Sequence, residues 1–220
     1  MARSVSSVPA REDAQPATPP VTEMAPAMRA LVESAIDLFY QRGYDATSVR
    51  EIVEAAGLTK GAFYHYLESK DSLLQLIHDQ YFDRQLARLE ELSQSDLSAR
   101  EKLDAVIHDI VEGLETNYKT MSVFMRERRA LSPEGFERLR AKRNTYQRKL
   151  VSVVEDGMAN GEFRQAGDAK IITFGIIGMC AWGQEWFTPG ESATVEQIAE
   201  WYSTLIMRGL LSDNGSDPAA

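Results

Sequence analysis

The stretch that decides the fold is AAGLTKGAFYHYLESKDSL, residues 55–73. Gly57 separates two short helical patterns, and Thr59 stands where a side-chain oxygen can cap the second one. Phe63 lies three residues after a lysine and is expected to point inward, whereas Tyr64 is expected to point outward. Two short helices joined by a tight turn that contains glycine predict a helix-turn-helix unit.

Helical patterns also surround this unit. Apolar residues recur at helical spacing over residues 26–42, Ser48 and Glu51 have the spacing of a capping box, and Ser69 precedes a long amphipathic pattern. Further helices are predicted at about 98–117, 120–130, 133–160, 168–187 and 194–211. Strand-like alternation is absent, so the sequence predicts an all-α fold with a three-helix helix-turn-helix head and a six-helix body.

Composition and charge limit the classes of protein to consider. The chain carries 24 Lys and Arg against 33 Asp and Glu, a formal charge of −9, so its overall balance does not indicate nucleic-acid binding. Cys180 is the only cysteine, which excludes an intrachain disulfide. No apolar segment suits a secretory signal or a membrane span, and no catalytic or metal-binding spacing is present. We expect a cytoplasmic protein that is not an enzyme, has no cofactor and does not bind membranes.

Residues 39–74, FYQRGYDATSVREIVEAAGLTKGAFYHYLESKDSLL, resemble the DNA-binding signature of the TetR family of bacterial transcriptional regulators. The resemblance implies a DNA-binding head followed by a helical ligand-binding domain that dimerises through its last two helices. It also implies a double-stranded operator with inverted-repeat symmetry. The domains predicted are a disordered tail at 1–24, the helix-turn-helix domain at 25–72, the ligand-binding and dimerisation domain at 73–211, and a second tail at 212–220.

The same resemblance implies two sets of DNA contacts. The positions that match phosphate contacts of the family are Thr47, Ser48, Tyr64, His65 and Lys70. The base-facing end of the recognition helix matches Thr59, Lys60 and Gly61. If Tyr64 and Lys70 only contact phosphate, replacing either with alanine should weaken DNA binding without lowering thermal stability.

The last two predicted helices are apolar on more than one side. A small domain offers too few internal partners for such helices, which favours a symmetric homodimer over the alternative of a central core helix. The residues expected at the dimer interface are Phe174, Ile177, Ile198, Trp201 and Leu205.

A basic segment suggests what the ligand-binding domain recognises. Residues 126–149 hold nine basic and three acidic groups, a net charge of +6. Arg128 and Arg143 are expected to point inward among apolar side chains, where they could hold the anionic end of an amphipathic effector. The predicted effector site comprises Phe124, Met125, Arg128, Arg143, Tyr146, Trp182, Glu185 and Trp186. The alternative is an internal ion pair of Glu185 with one of the two arginines.

Residues 178–202, GMCAWGQEWFTPGESATVEQIAEWY, are similar to TetR-family regulators of fatty-acid and sterol breakdown, which respond to acyl-CoA thioesters. The matching residues are Trp182, Trp186, Phe187, Pro189 and Gly190. Many of those relatives have arginine where this chain has Glu185 and Thr188. The resemblance implies a repressor that an acyl-CoA or fatty acid releases from its operator. The alternatives are an activator, a regulator with a drug-like or other hydrophobic ligand, and a helical ligand-binding protein that does not bind DNA.

Overall fold

The computed structural model describes residues 24–188 and 193–211, and these form an all-α fold. The first four helices are α1 (Pro26–Arg42), α2 (Val49–Ala55), α3 (Lys60–Tyr66) and α4 (Lys70–Gln94). They are followed by α5 (Ala99–Thr116), α6 (Tyr118–Glu127), a 3₁₀ turn (Arg128–Ala130), α7 (Pro133–Ala159), α8 (Ala169–Ala181), α9 (Gly183–Trp186) and α10 (Val195–Leu210). The only pairing of strand type in this part of the chain is an isolated bridge between Phe163 and Leu211.

The helices of the head begin where their capping residues stand. Ser48 caps α2 in a capping box with Glu51, and the Thr59 hydroxyl accepts the backbone N–H of Ala62 at the start of α3. Gly57 adopts a φ of +67° in the turn between the two helices, a conformation that favours glycine. Phe63 is fully buried, so the inner side of α3 packs against the rest of the head.

A central helix organises the rest of the protein. α5 packs against α7, α8 and α10, and its side chains Leu103, Ile107 and Leu114 are fully buried. α4 lies along α7 and runs without a break through the predicted domain boundary at residues 72 and 73. The head and the body therefore share one continuous helix.

The predicted helix at 168–187 is divided in the structure. α8 ends at Ala181 and the short α9 begins at Gly183, so Trp182 lies at the junction. A Cβ atom on Gly183 would lie 2.3 Å from a methyl carbon of Leu114, which shows how closely this junction approaches α5. The predicted tails lie outside the described residues, apart from Met24, and so do Pro189 and Gly190.

Candidate functional site

The outer face of α3 carries most of the residues predicted to meet DNA. Thr59, Lys60, Gly61, Tyr64 and His65 are all exposed, and the exposed fraction of Tyr64 is 56%. Lys60 and His65 take part in no ion pair among the described residues. A basic group, an aromatic hydroxyl and an imidazole thus lie together on one short helix whose opposite side is fixed in the core.

Ser48 is exposed as well, but its hydroxyl already has a partner. It donates to the carboxylate of Glu51 at 2.7 Å and accepts the backbone N–H of Glu51 at 3.3 Å. The backbone N–H and the hydroxyl of Ser48 both donate to this carboxylate and hold the pKa of Glu51 below its usual value. A phosphate oxygen at the start of α2 would therefore have to displace a carboxylate from the Ser48 hydroxyl.

Thr47 and Lys70 are placed differently from the exposed residues. Thr47 is 2% exposed and its hydroxyl donates to the carbonyl oxygen of Gly43 at 2.8 Å. The ammonium group of Lys70 donates to the carbonyl oxygens of Tyr44 and Thr47, each at 2.8 Å. Thr47 does not present its side chain to DNA in this conformation. Lys70 uses two of its three donors to hold the turn between α1 and α2.

Tyr44 is the centre of this turn. Its ring packs edge-on against Phe39 with centroids 5.2 Å apart, and the Lys70 nitrogen lies 4.0 Å from its centroid on the other side. Its hydroxyl donates to Asp71, and burial together with this carboxylate raises the tyrosine pKa. Its backbone N–H donates to Glu127 at the end of α6, at 3.3 Å. Tyr44 therefore joins the head to both α4 and α6.

A second contact reinforces the link between the head and α6. Arg126 donates to the carbonyl oxygen of Tyr40 at 3.1 Å, and Lys119 pairs with Asp37 at 2.6 Å. Both bonds join α1 to α6. These contacts join residues more than eighty positions apart, so no local pattern in the sequence indicates the links made by Tyr44, Glu127 and Arg126.

Several acidic groups of the head are neutralised locally. Arg42 pairs with Glu51 at 3.1 Å and Arg50 pairs with Glu54 at 2.7 Å, both on the surface of the first two helices. The head has five basic and seven acidic residues between positions 25 and 72. Because these pairs lie on α1 and α2, their acidic groups do not neutralise the positive charge of Lys60 on the outer face of α3.

Several basic residues of the segment at 126–149 are paired with acidic groups. Lys142 lies 3.2 Å from Asp79 and 2.7 Å from Asp83, with all three side chains largely buried. Lys149 pairs with Glu90, and Arg140 with Glu137. Arg128 and Arg143 have no ion pair or hydrogen bond within the described residues. They line a narrow cleft of about 20 Å³ together with Phe124, Phe136, Leu139 and Arg140.

The predicted effector residues do not form one site. Arg143 is exposed rather than inward, Met125 is 39% exposed, and Trp182 and Trp186 are 65% and 45% exposed. Arg128 is half-buried and Tyr146 is buried. Glu185 is exposed and pairs with neither Arg128 nor Arg143 in the described part of the chain, so the internal ion pair is not formed.

The geometry of α6 explains why the set is divided. Gln184, between the two tryptophans, donates to Ser122 at 2.7 Å and to the carbonyl oxygen of Tyr118 at 3.5 Å, near the beginning of α6. Arg128 follows the end of the same helix. Ten residues of helix span about 15 Å, so the contact of Gln184 with Tyr118 lies near one end of α6 and Arg128 lies just beyond the other.

An aromatic cluster lies behind the arginine cleft. Phe124 on α6 stacks on Tyr81 with centroids 5.1 Å apart, and it contacts Phe82 at 5.3 Å and His78 at 5.5 Å. Burial raises the pKa of Tyr81 to about 12 and also raises that of Tyr146. Phe124 is the one residue that belongs to both the cleft and this cluster.

The outer face of α8 and α10 is exposed and apolar. The exposed fractions are 67% for Ile171, 38% for Phe174, 61% for Trp201 and 63% for Leu205. An open apolar groove of about 350 Å³ runs between the two helices, and nothing lies within 4 Å of the Cβ positions of Gly175 and Gly178. Large exposed apolar surfaces of this kind mark interaction sites.

Two of the residues expected at a dimer interface lie deeper in the protein. Ile198 is 2% exposed and packs within its own protomer, so it is not available to a partner. Ile177 is half-buried and borders the exposed face. Ile198 follows Val195 by one turn on the inner side of α10, whereas Trp201 and Leu205 lie on its outer side.

Comparison with known proteins gives two family matches. Residues 31–77 match the model for bacterial regulatory proteins of the tetR family. Residues 96–210 match the model for a tetracyclin repressor-like C-terminal domain. No helix in the described part of the chain is both long enough and apolar enough to cross a membrane.

Individual proteins show the same similarity. The HTH-type transcriptional repressor KstR2 of Rhodococcus jostii is 29% identical over 184 residues, covering 83% of this chain and 90% of the relative. The structure of AibR in complex with isovaleryl coenzyme A and operator DNA has a TM-score of 0.73 and 26% identity, covering 81% of this chain and 97% of that one. KstR2 of Mycobacterium tuberculosis superimposes with a TM-score of 0.76 at 24% identity, covering 84% and 95%, and supports the fold.

Proposed function

The chain belongs to the TetR family of bacterial transcriptional regulators, a class of DNA-binding proteins and not of enzymes, and from this we propose that it is a dimeric repressor. In this proposal it binds an operator through α3 and leaves the operator when an amphipathic anion binds to its body. Such a protein acts in the cytoplasm, where the chromosome lies.

The DNA-binding role is inferred from the residues exposed on the outer face of α3. Lys60 and Tyr64 are exposed there while Phe63 is fully buried on the opposite side. A helix presented in this way fits a major groove about 12 Å wide. Lys60 and Gly61 would face base edges. Tyr64, His65 and Ser48 would contact phosphates, and Thr47 and Lys70 would hold the turn beside them.

Dimerisation is supported by the exposed face of α8 and α10. Phe174, Trp201 and Leu205 would be covered by the same residues of a second copy, as in an isologous interface. The glycines of α8 leave space for a helix to approach closely. Two heads on one symmetric dimer would bind the two halves of an inverted repeat.

An anionic effector is supported by the two unpaired arginines. Arg128 and Arg143 line a cleft with apolar walls from Phe124 and Leu139. A carboxylate or phosphate at this cleft would accept hydrogen bonds from two guanidinium groups that have no protein partner within residues 24–188 and 193–211. The crystal structure of AibR, which has a similar fold, contains isovaleryl coenzyme A together with operator DNA. We therefore propose a fatty acyl-CoA or a free fatty acid.

The test begins with operator sequences isolated by sequencing the genomic fragments that the purified protein retains. Dodecanoyl-CoA is then titrated into the complex and release is followed by gel shift. We expect release at micromolar ligand, and we expect Arg143→Gln to weaken it by about tenfold. Arg138→Gln is the matched control, because Arg138 is exposed on the same helix and does not line the cleft. Equal behaviour of the two variants would contradict the anchor assigned to Arg143.

A further inference from the structure

His78 on α4 is a buried polar group, and one of its nitrogens has no hydrogen-bond partner in the described part of the chain. The residue is completely buried, and its Nδ1 lies 2.9 Å from the carbonyl oxygen of Leu74. Because a carbonyl oxygen can only accept, Nδ1 carries the proton of this bond. Burial lowers the pKa of the imidazole to about 4, so the ring is neutral near pH 7. Nε2 therefore holds a lone pair and can only accept a hydrogen bond.

No protein group among the described residues supplies a donor to this nitrogen. His78 Nε2 is buried without a hydrogen-bond partner among the described residues, and the Phe124 ring, whose centroid lies 5.5 Å from that of the imidazole, has no polar hydrogen. A buried acceptor left unpaired destabilises the folded protein, because it has lost its hydrogen bonds to water without a replacement. The protein therefore gains affinity for any buried ligand that brings a donor to this point.

Gln75 adds a second unpaired group on the same side of α4. It lies three residues before His78, is 8% exposed, and neither its amide nitrogen nor its amide oxygen has a partner among the described residues. α7 approaches so closely that a Cβ on Gly135 would lie 2.2 Å from the amide oxygen. Residues three apart on a helix are neighbours, so the two unpaired groups form one polar patch within the body.

Phe124 separates this patch from the arginine cleft. Its ring contacts His78 on the inner side, and its side chain also lines the cleft with Arg128 and Arg143. A ligand held by its anionic end at the arginines would meet Phe124 first. Rotation of that single side chain would open a path from the cleft to the patch.

We propose that His78 and Gln75 form a binding site for a hydroxyl group on the apolar body of the effector. The hydroxyl donates to Nε2 of His78 and accepts from the amide nitrogen of Gln75, and Phe124 moves aside to admit it. This inference rests on the proposed anion site at Arg128 and Arg143. It narrows the effector to a hydroxylated amphipathic anion, since a ketone or a plain alkyl chain offers no donor to Nε2.

The experiment compares dodecanoate with its hydroxydodecanoate isomers, in which the hydroxyl is moved from the middle of the chain to its end. Affinities are measured by isothermal titration for the native full chain and for His78→Phe, His78→Gln and His108→Phe. Phenylalanine removes the acceptor, glutamine keeps an acceptor oxygen near the position of Nε2, and His108 is a histidine of α5 outside the cluster. We expect at least one hydroxylated isomer to bind roughly tenfold tighter than dodecanoate in the native protein and in His108→Phe. The preference should be lost in His78→Phe and kept in His78→Gln.

Nitrogen-15 NMR of histidine-labelled protein provides a direct reading. Binding of the preferred isomer should shift the Nε2 resonance of His78 in the direction of hydrogen-bond formation, and dodecanoate should not. If His78→Phe still prefers a hydroxylated isomer over dodecanoate, the assignment is wrong. It is also wrong if the Nε2 resonance is equally shifted without ligand, because an ordered water alone would then be the donor. If all acids bind equally and Arg143→Gln weakens them all, the hydroxyl site is wrong and the anion site stands. If none of these acids binds to the native protein, the hydroxyl site and the anion site are both wrong.

Discussion

Replacing Lys70 with methionine separates a structural role from a DNA-contacting one. The ammonium group donates to two backbone carbonyls of the turn, those of Tyr44 and Thr47, and lies over the Tyr44 ring. Methionine keeps the apolar stem of the side chain and removes the charge and all three donors. If the bonds hold the turn, the variant should be less stable than the native protein even when no DNA is present.

The structure gives the size of the effect. Each hydrogen bond at this half-buried site contributes about 1 kcal/mol, and the cation–π contact contributes about 0.5–1 kcal/mol. Together they predict a loss of about 2–3 kcal/mol in the free energy of unfolding. For a protein of this size that loss lowers Tm by about 5–10 °C.

Urea unfolding followed by circular dichroism measures the loss, with Lys60→Met as the matched control. Lys60 is exposed and makes no ion pair among the described residues, so its replacement should change stability by no more than about 0.5 kcal/mol. The Lys70→Met and Lys60→Met variants should therefore differ in stability, whatever the effect of each substitution on DNA binding. If Lys70→Met is as stable as the native protein, Lys70 does not hold the turn and the phosphate contact expected from the sequence is the better account.

Three further predictions concern other parts of the molecule. Because the pKa of His78 falls from 6.5 to about 4 on folding, the unfolded state binds more protons below pH 6.5, and the free energy of unfolding should drop by about 3 kcal/mol between pH 6.5 and 4. Denaturant titrations should show this slope reduced in His78→Phe. Trp201→Glu and Leu205→Glu should each give a folded monomer in sedimentation velocity, and a persistent dimer would refute the assigned interface. Glu127→Ala should lower the free energy of unfolding by about 1–2 kcal/mol, because it leaves the Tyr44 N–H unpaired. In this variant, adding effector should weaken operator binding less than it does in the native protein.

Local patterns in the sequence were sufficient for the helices of the head. The bounds of α1, the capping box of Ser48 and Glu51, the Thr59 cap and the inward direction of Phe63 all follow from spacing over three or four residues. These features depend on interactions within one or two helical turns. The structure confirms them.

The face of α7 that points inward was harder to predict, because a shift of one residue along a helix corresponds to about 100° of rotation about its axis. The stripe through Leu139 and Tyr146 suggested that Arg143 points inward, whereas the structure turns Lys142 inward to Asp79 and Asp83. The acidic partners on α4 decide this, and they are remote in sequence. Phe136, which follows the same helical spacing as Leu139 and Tyr146, is 39% exposed.

The role of Lys70 could not be read from its surroundings in the chain. A lysine beside a DNA-binding motif is a natural phosphate contact, and nothing local indicates that two carbonyl oxygens more than twenty residues earlier will accept its hydrogen bonds. The same limit applies to Glu127 and Tyr44. Contacts of this kind depend on how helices pack, which the spacing of residues within one helix does not fix.

The central claim is that the outer face of α3 binds duplex DNA, and Tyr64→Ala tests it most directly. The measurement is a gel shift with an operator fragment at low salt, with thermal unfolding recorded on the same samples. Tyr64 is 56% exposed, and within the described residues its ring contacts only that of Phe63, so the account predicts at least a tenfold loss of operator affinity with little change in Tm. A native protein that binds no duplex, or a Tyr64→Ala variant that binds as tightly as the native one, would contradict it.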